Sequence, residues 1–120
     1  MRAAEHEDIN LITLLPAATD SGLEILTEDG EWMPVPMKKG QLIVDTGDMM
    51  KRLTNNTMPA TTHRVVNPEG EPEPRYSMPF FLHPHPDARL DVLDNCVPEG
   101  EEPNYEPITA DEFLKQRLEE

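Results

Sequence analysis

His6-Glu7-Asp8-Ile9-Asn10-Leu11-Ile12-Thr13-Leu14-Leu15-Pro16 is the stretch on which the fold turns. Residues 9–15 form a nearly continuous β-prone apolar run, and Pro16 ends it. Asp20-Ser21-Gly22 then supplies a turn before a second strand at residues 23–27. Glu28-Asp29-Gly30 is another turn, and its Asp-Gly pair is the strongest short hairpin signal, with residues 31–35 as the return strand. Lys39-Gly40 precedes a strand at residues 41–45. Thr46-Gly47-Asp48 opens a short helix over residues 49–53, where Asp48 can cap the start and Lys51 and Arg52 suit the end. Residues 61–66 and 75–82 read as two further strands. Six short strands between Gly, Asp and Pro turns predict a mainly β sandwich or barrel.

The rest of the chain is read from the same signals. Residues 67–74 are an acidic, proline-rich loop, and residues 83–107 hold little periodicity and are expected to run over the surface. Thr109 and Glu112 have the spacing of a capping box. It starts a helix over residues 110–118 whose apolar face is Phe113, Leu114 and Leu118. Trp32, Phe80, Phe81, Met49, Met50 and Met58 are expected in the core.

Composition excludes several functions. The 120 residues are enough for one domain. With 10 Lys+Arg against 24 Asp+Glu the formal net charge is −14, which argues against nucleic acid and against anionic membrane surfaces as partners. No apolar run approaches the roughly 18 residues of a membrane span, and no secretory leader is visible. The single cysteine, Cys96, leaves no internal disulfide or zinc ribbon and points to a reducing cytoplasm. The 13 prolines and 5% aromatics would suit a disordered chain. Prolines and acids, however, gather in residues 67–74 and 83–107, outside the strands.

Chemistry-bearing residues recur in the strands. His6 and Asp8 stand two apart, which on a strand puts both on one face with Glu7 on the other. The plain alternative is the solvated start of a strand. His63 lies in a separate strand, where a histidine is often a satisfied core residue. Two His and one carboxylate from separate strands make a facial triad, suited to non-haem Fe(II) with open positions on the metal. Arg75 and Ser77 also share a strand face. They offer a fork of donors and a hydroxyl to a carboxylate, although Arg75 could equally be an exposed charge after a polar loop. His83-Pro-His85-Pro-Asp87 looks metal-like but reads first as a stiff exit from the last strand. Cys96 reads as incidental, Asp45 as a turn-proximal acid and Asp48 as a cap.

The order His6-x-Asp8, His63, Arg75-x-Ser77 resembles the Fe(II)- and 2-oxoglutarate-dependent oxygenases, and more narrowly the isopenicillin N synthase-like family. Gly22-Leu-Glu-Ile25, Gly30-Glu-Trp32, Gly47-Asp48, Leu53-Thr-Asn55, Thr62-His-Arg-Val-Val66 and Arg75-Tyr-Ser-Met-Pro-Phe-Phe81 fall in family order. Residues 105–118 are similar to the family's C-terminal helix. Members are usually more than twice this long, so the chain resembles the C-terminal half. The fold this implies is a double-stranded β-helix (jelly roll), incomplete at the N-terminal side, with a short C-terminal helix. Residues 1–82 would carry the core and motifs, and residues 83–120 the extension and helix of the same domain.

The resemblance implies His6, Asp8 and His63 as Fe(II) ligands, with Arg75 and Ser77 anchoring 2-oxoglutarate. Dioxygen would be the oxidant and an unknown small molecule the substrate. Some family members share Arg-x-Ser without using 2-oxoglutarate, so the anchor does not prove the cosubstrate. A truncated form could have reduced activity or none. The alternative is a non-catalytic truncated or mobile-element product that folds by self-association. Homo-oligomers through an exposed sheet edge or apolar surface are expected in either case. A cupin-type metalloprotein is a weaker third reading, since cupins space their histidines differently.

Overall fold

The computed structural model describes residues 3–17, 21–36, 38–67 and 74–120. In chain order the strands are β1 (Ala3–His6), β2 (Ile12–Pro16), β3 (Leu23–Leu26), β4 (Trp32–Pro34) and β5 (Leu42–Thr46). Helix α1 (Asp48–Leu53) is followed by β6 (His63–Val65), β7 (Phe80–Leu82) and helix α2 (Ala110–Leu118). The strands form two antiparallel sheets, in the orders β1-β6-β3-β4 and β5-β2-β7. This is the mainly β, two-sheet architecture expected of a jelly roll.

The two sheets face each other across a cavity, and their outer faces differ. On the four-stranded sheet, Glu24 pairs across from Arg64 and Leu26 across from Trp32. Arg64 Nη2 lies 2.8 Å from Glu24 Oε1, and its guanidinium stacks 3.9 Å from the Trp32 ring centroid. That surface is built for water. Trp32, expected in the core, thus sits on the outer face, half-buried beneath Arg64. On the three-stranded sheet the outward rows are Val44-Leu14-Phe80, Leu42-Pro16 and Thr46-Ile12-Leu82, and none of these residues carries a charge.

Several expectations change. Residues 9–11 are a bend, and β2 runs from Ile12 through Pro16. Pro16 fits at the strand end, where a missing N–H costs least. Only residues 80–82 of the predicted 75–82 strand pair with a neighbour, yet residues 75, 77, 79 and 81 still alternate into the cavity. Strand β1 is not expected from Ala-Ala-Glu-His and exists through its pairing with β6. Phe80, Phe81 and Met58 are 61%, 51% and 43% exposed rather than core. Asp48 is the first helical residue of α1 and Gly47 the cap. The loop expected at residues 67–74 falls largely outside the described residues.

The fully packed core lies beside the sheets. Met49 of α1, Leu90, Ile108, and Ala110 and Phe113 of α2 form one cluster, with Ile9, Leu11 and Leu114 against it. Leu90, in the segment expected on the surface, is 2% exposed. It is drawn in by backbone bonds from Leu90 N to Ile108 O and from Ala110 N to Ala88 O, each 2.8 Å. Thr109 and Glu112 close the capping box as predicted. Asn55 and Asn56 take left-handed conformations after α1 (φ 54° and 68°), and Asn55 accepts from Asn104 N at 2.8 Å. Residues 83–120 are tied to the helix that follows β5 in this way.

Candidate metal centre

The loop between β1 and β2 is fastened from behind. Gly47 N donates to Leu11 O (3.0 Å), Asp48 N to Asp8 O (2.8 Å) and Met49 N to Asn10 O (3.2 Å). Strand β1 ends at His6, so His6 and Asp8 do not share a strand face as predicted. They converge because this loop turns Asp8 inward. His6 Nε2 lies 3.6 Å and His63 Nε2 3.5 Å from Asp8 Oδ1. One donor atom from each of the three residues lies within 4.8 Å of the others.

The remaining donor atoms are already engaged. His6 Nδ1 lies 2.8 Å from Ala4 O, and His63 Nδ1 lies 2.9 Å from Thr61 O. A carbonyl only accepts, so these contacts suit the tautomer with the proton on Nδ1, which leaves Nε2 free to face Asp8. Asp8 Oδ2 accepts from the Thr13 hydroxyl at 2.7 Å, which turns Oδ1 toward the two imidazoles. Two imidazole nitrogens and one carboxylate oxygen on one side of a point fit a divalent first-row metal.

The triad forms part of the wall of a cavity of about 150 Å³. Arg75 and Ser77 line the same cavity, and Leu15, Leu23, Ile25 and Phe81 supply apolar surface. All five residues singled out in the sequence thus face one space. Asp45, which reads in sequence as a turn-proximal acid, also lines it. Its Oδ2 lies 3.8 Å from His63 Nδ1. Burial, then the neighbouring Asp8 carboxylate, push its pKa up to about 6. A signal for its place exists in the sequence: Asp45 is two residues from Ile43 and so shares its inward face. His85 and Asp87, by contrast, stand in water, with side chains 76% and 93% exposed.

Two His and one Asp placed as a metal would need them, between two sheets and with an Arg and a Ser in the same cavity, are the arrangement of a jelly-roll metalloprotein class with room for an anionic cosubstrate. The family model of the 2OG-Fe(II) oxygenase superfamily matches residues 1–84. The chain belongs to that superfamily, whose cofactor and cosubstrate are Fe(II) and 2-oxoglutarate. A 2OG-Fe(II) oxygenase family protein of Caulobacter crescentus is 50% identical, with a TM-score of 0.91 over 98% of this chain and 40% of that one. A full-length Neurospora crassa protein, solved in complex with alpha-KG, is 31% identical, with a TM-score of 0.92 over 99% of this chain and 38% of that one. The 2-oxoglutarate-Fe(II) type oxidoreductase hxnY of Emericella nidulans is 38% identical over 92% of this chain and 31% of its own length. The chain therefore spans about a third of the curated relatives it matches. No helix among the described residues is long and apolar enough to cross a membrane.

Proposed function

We propose that this chain carries the Fe(II)- and 2-oxoglutarate-binding part of an oxygenase acting on a small organic molecule. His6, Asp8 and His63 are the metal ligands, and Arg75 and Ser77 the cosubstrate anchor. Residues 1–82 carry the site, and residues 83–120 brace it within the same domain. The observation that supports this best is the convergence of three hydrogen-bonded, oriented side chains on a cavity that also holds Arg75 and Ser77. Fe(II) bound there would supply the oxidising chemistry, with dioxygen as oxidant and 2-oxoglutarate as its co-reductant.

The chain's own residues bind, orient and shield. His6, Asp8 and His63 would hold the metal from one side, with cavity space beside Arg75 and Ser77 on the other. Arg75 pairs with a carboxylate through its fork of donors, and Ser77 adds a hydroxyl. Leu15, Leu23 and Ile25 give the cavity an apolar wall beside them, which strengthens each polar contact inside.

Titration calorimetry tests this reading, with Mn(II) as a redox-inert stand-in. Mn(II) should bind the wild type, and His63→Ala should abolish the heat. Arg75→Ala should weaken 2-oxoglutarate binding to the Mn(II)-loaded protein and leave Mn(II) affinity unchanged. A folded wild type that binds no Mn(II) would sink the proposal. Succinate release in the presence of a substrate would establish turnover.

One observation favours self-association as well. Leu42, Val44 and Phe80 are 61%, 58% and 61% exposed on the outer face of the three-stranded sheet, an uncharged patch on a chain of net charge −14. A second copy stacked on that face would bury both patches while the like charges stay apart. A concentration-dependent mass in sedimentation, lost in Phe80→Lys, is the expected result; a monomer at every concentration would refute it. The free Cys96 fits a reducing compartment, and the cytoplasm is the proposed location.

A further inference from the structure

Thr13 sits in the middle of β2, 4% exposed, paired across from Asp45 on one side and Phe81 on the other. Its hydroxyl stands among Asp8, Asn10 and Asp45. Oγ1 donates to Asp8 Oδ2 at 2.7 Å and accepts from Asn10 Nδ2 at 3.1 Å. Asn10 is itself 2% exposed, and its amide also donates to Ile12 O at 2.7 Å. Asn10 can only donate through that nitrogen, so the Thr13 proton goes to a carboxylate; Asp45 also hydrogen-bonds with Thr13 and with Asp8, and the 2.7 Å contact gives that proton to Asp8. Asp8 is 8% exposed, so water does not readily replace the bond.

We infer that Thr13 is a positioning residue for the metal: its hydroxyl occupies Asp8 Oδ2 and so restricts Asp8 to binding through Oδ1 alone. This rests on Asp8 being a metal ligand, as proposed above. A carboxylate free at both oxygens can swing to a bidentate mode and take a second coordination position. The relay from Asn10 through Thr13 prevents that. It keeps the position beside Asp8 open for the cosubstrate and holds Oδ1 in line with His6 and His63. Sequence alone hides the role, since Thr13 reads as one more β-branched residue of an apolar run.

Thr13→Val keeps the shape and removes the hydroxyl, while Thr13→Ser keeps the hydroxyl. Calorimetry with Mn(II), then with 2-oxoglutarate on the Mn(II)-loaded protein, reads both effects without turnover. Thr13→Val should weaken Mn(II) or 2-oxoglutarate binding by about tenfold or more, alter the Mn(II) electron paramagnetic resonance spectrum, and be restored toward wild type in Thr13→Ser. If Thr13→Val does not fold, Thr13→Cys, of similar size and a much weaker donor, takes its place with the same expectation. Unchanged affinities and spectrum in the folded variant would overturn the inference, as would an equal loss in Thr13→Ser. A wild type that binds no Mn(II) would instead overturn the underlying metal-site proposal, so the two failures are distinguishable.

Discussion

Gly47→Ala should damage the metal centre from behind without touching a ligand. Gly47 is buried, with an extended conformation (φ −101°, ψ −174°) that any residue adopts, so only space decides the outcome. A Cβ there would lie 2.9 Å from both Asp8 O and Asn10 C, and closer still to Asn10 O. All three are backbone atoms, so no side chain can rotate away. Ordinary contact begins near 3.4 Å, so the loop carrying Asp8 must retreat by about 0.5 Å or more, away from the three bonds that fasten it.

Overpacking of this kind costs about 1–3 kcal/mol, and each weakened backbone bond adds about 0.5–1.5 kcal/mol. With three such bonds the total is about 3–7 kcal/mol, which would lower the melting temperature by on the order of 20 °C. Displacing the Asp8 carboxylate by a similar distance should cost about tenfold or more in Mn(II) affinity. Thermal melting by circular dichroism and Mn(II) calorimetry read the two effects separately. Gly30→Ala is the control. Its Cβ would meet nothing within 4 Å, but its φ of +83° is left-handed. It should lose about 1 kcal/mol and keep its Mn(II) affinity. If Gly47→Ala melts and binds Mn(II) like the wild type, or loses no more than Gly30→Ala, the steric reasoning is wrong.

Three further outcomes are expected. Thr109→Ala removes the hydroxyl that accepts from Glu112 N at 3.2 Å. It should cost about 1 kcal/mol, with amide exchange fastest in the first turn of α2. Met49→Ala, at a side chain only 1% exposed, should cost about 2–5 kcal/mol by chemical denaturation. Asp48 has its pKa raised to about 6, by burial first and then by its bond with Glu7. A carboxyl that holds its proton more tightly when folded is most favourable to the fold when protonated. Stability should therefore fall as pH rises from about 4 to 6 and level off above. The penalty is about 1–2 kcal/mol after allowing for solvent that still reaches the group. Denaturation at pH 5 and pH 8 should show this slope, and Asp48→Asn should reduce it, the remainder belonging to Asp45, whose pKa is raised to the same range.

What could be read in the sequence divides along the range of the forces involved. The capping box of α2 and the Asp-Gly turn are local, written within four residues, and both stand in the structure. The candidate site is legible for a different reason: His, Asp, Arg and Ser are costly to turn inward without a partner, so their alternation among apolar residues stands out. A shared strand face is nevertheless the wrong reason for pairing His6 with Asp8. Their convergence comes from a bend held by bonds to residues 47–49, a contact some forty positions away that no strand periodicity encodes. Thr13 is hidden by its chemistry, since a threonine is at home in any strand.

The run at residues 9–15 shows where such reading ends. Its continuity predicts a strand apolar on both faces, and the structure agrees: Thr13 and Leu15 face the cavity, while Ile12 and Leu14 face outward. Phe80 and Phe81 extend the same pattern on the neighbouring strand, one to each face. Placing both aromatics in the core assumes that something covers each face, and among the described residues neither is fully covered: Phe81 is 51% and Phe80 61% exposed. The four-stranded sheet, whose outer face carries the Arg64–Glu24 pair over Trp32, shows what a solvent-adapted face looks like in the same molecule. The contrast makes the exposure of Phe80 informative: among the described residues the outer face of the three-stranded sheet is uncharged on a strongly acidic chain, which is why the self-association test belongs there and not on the opposite sheet.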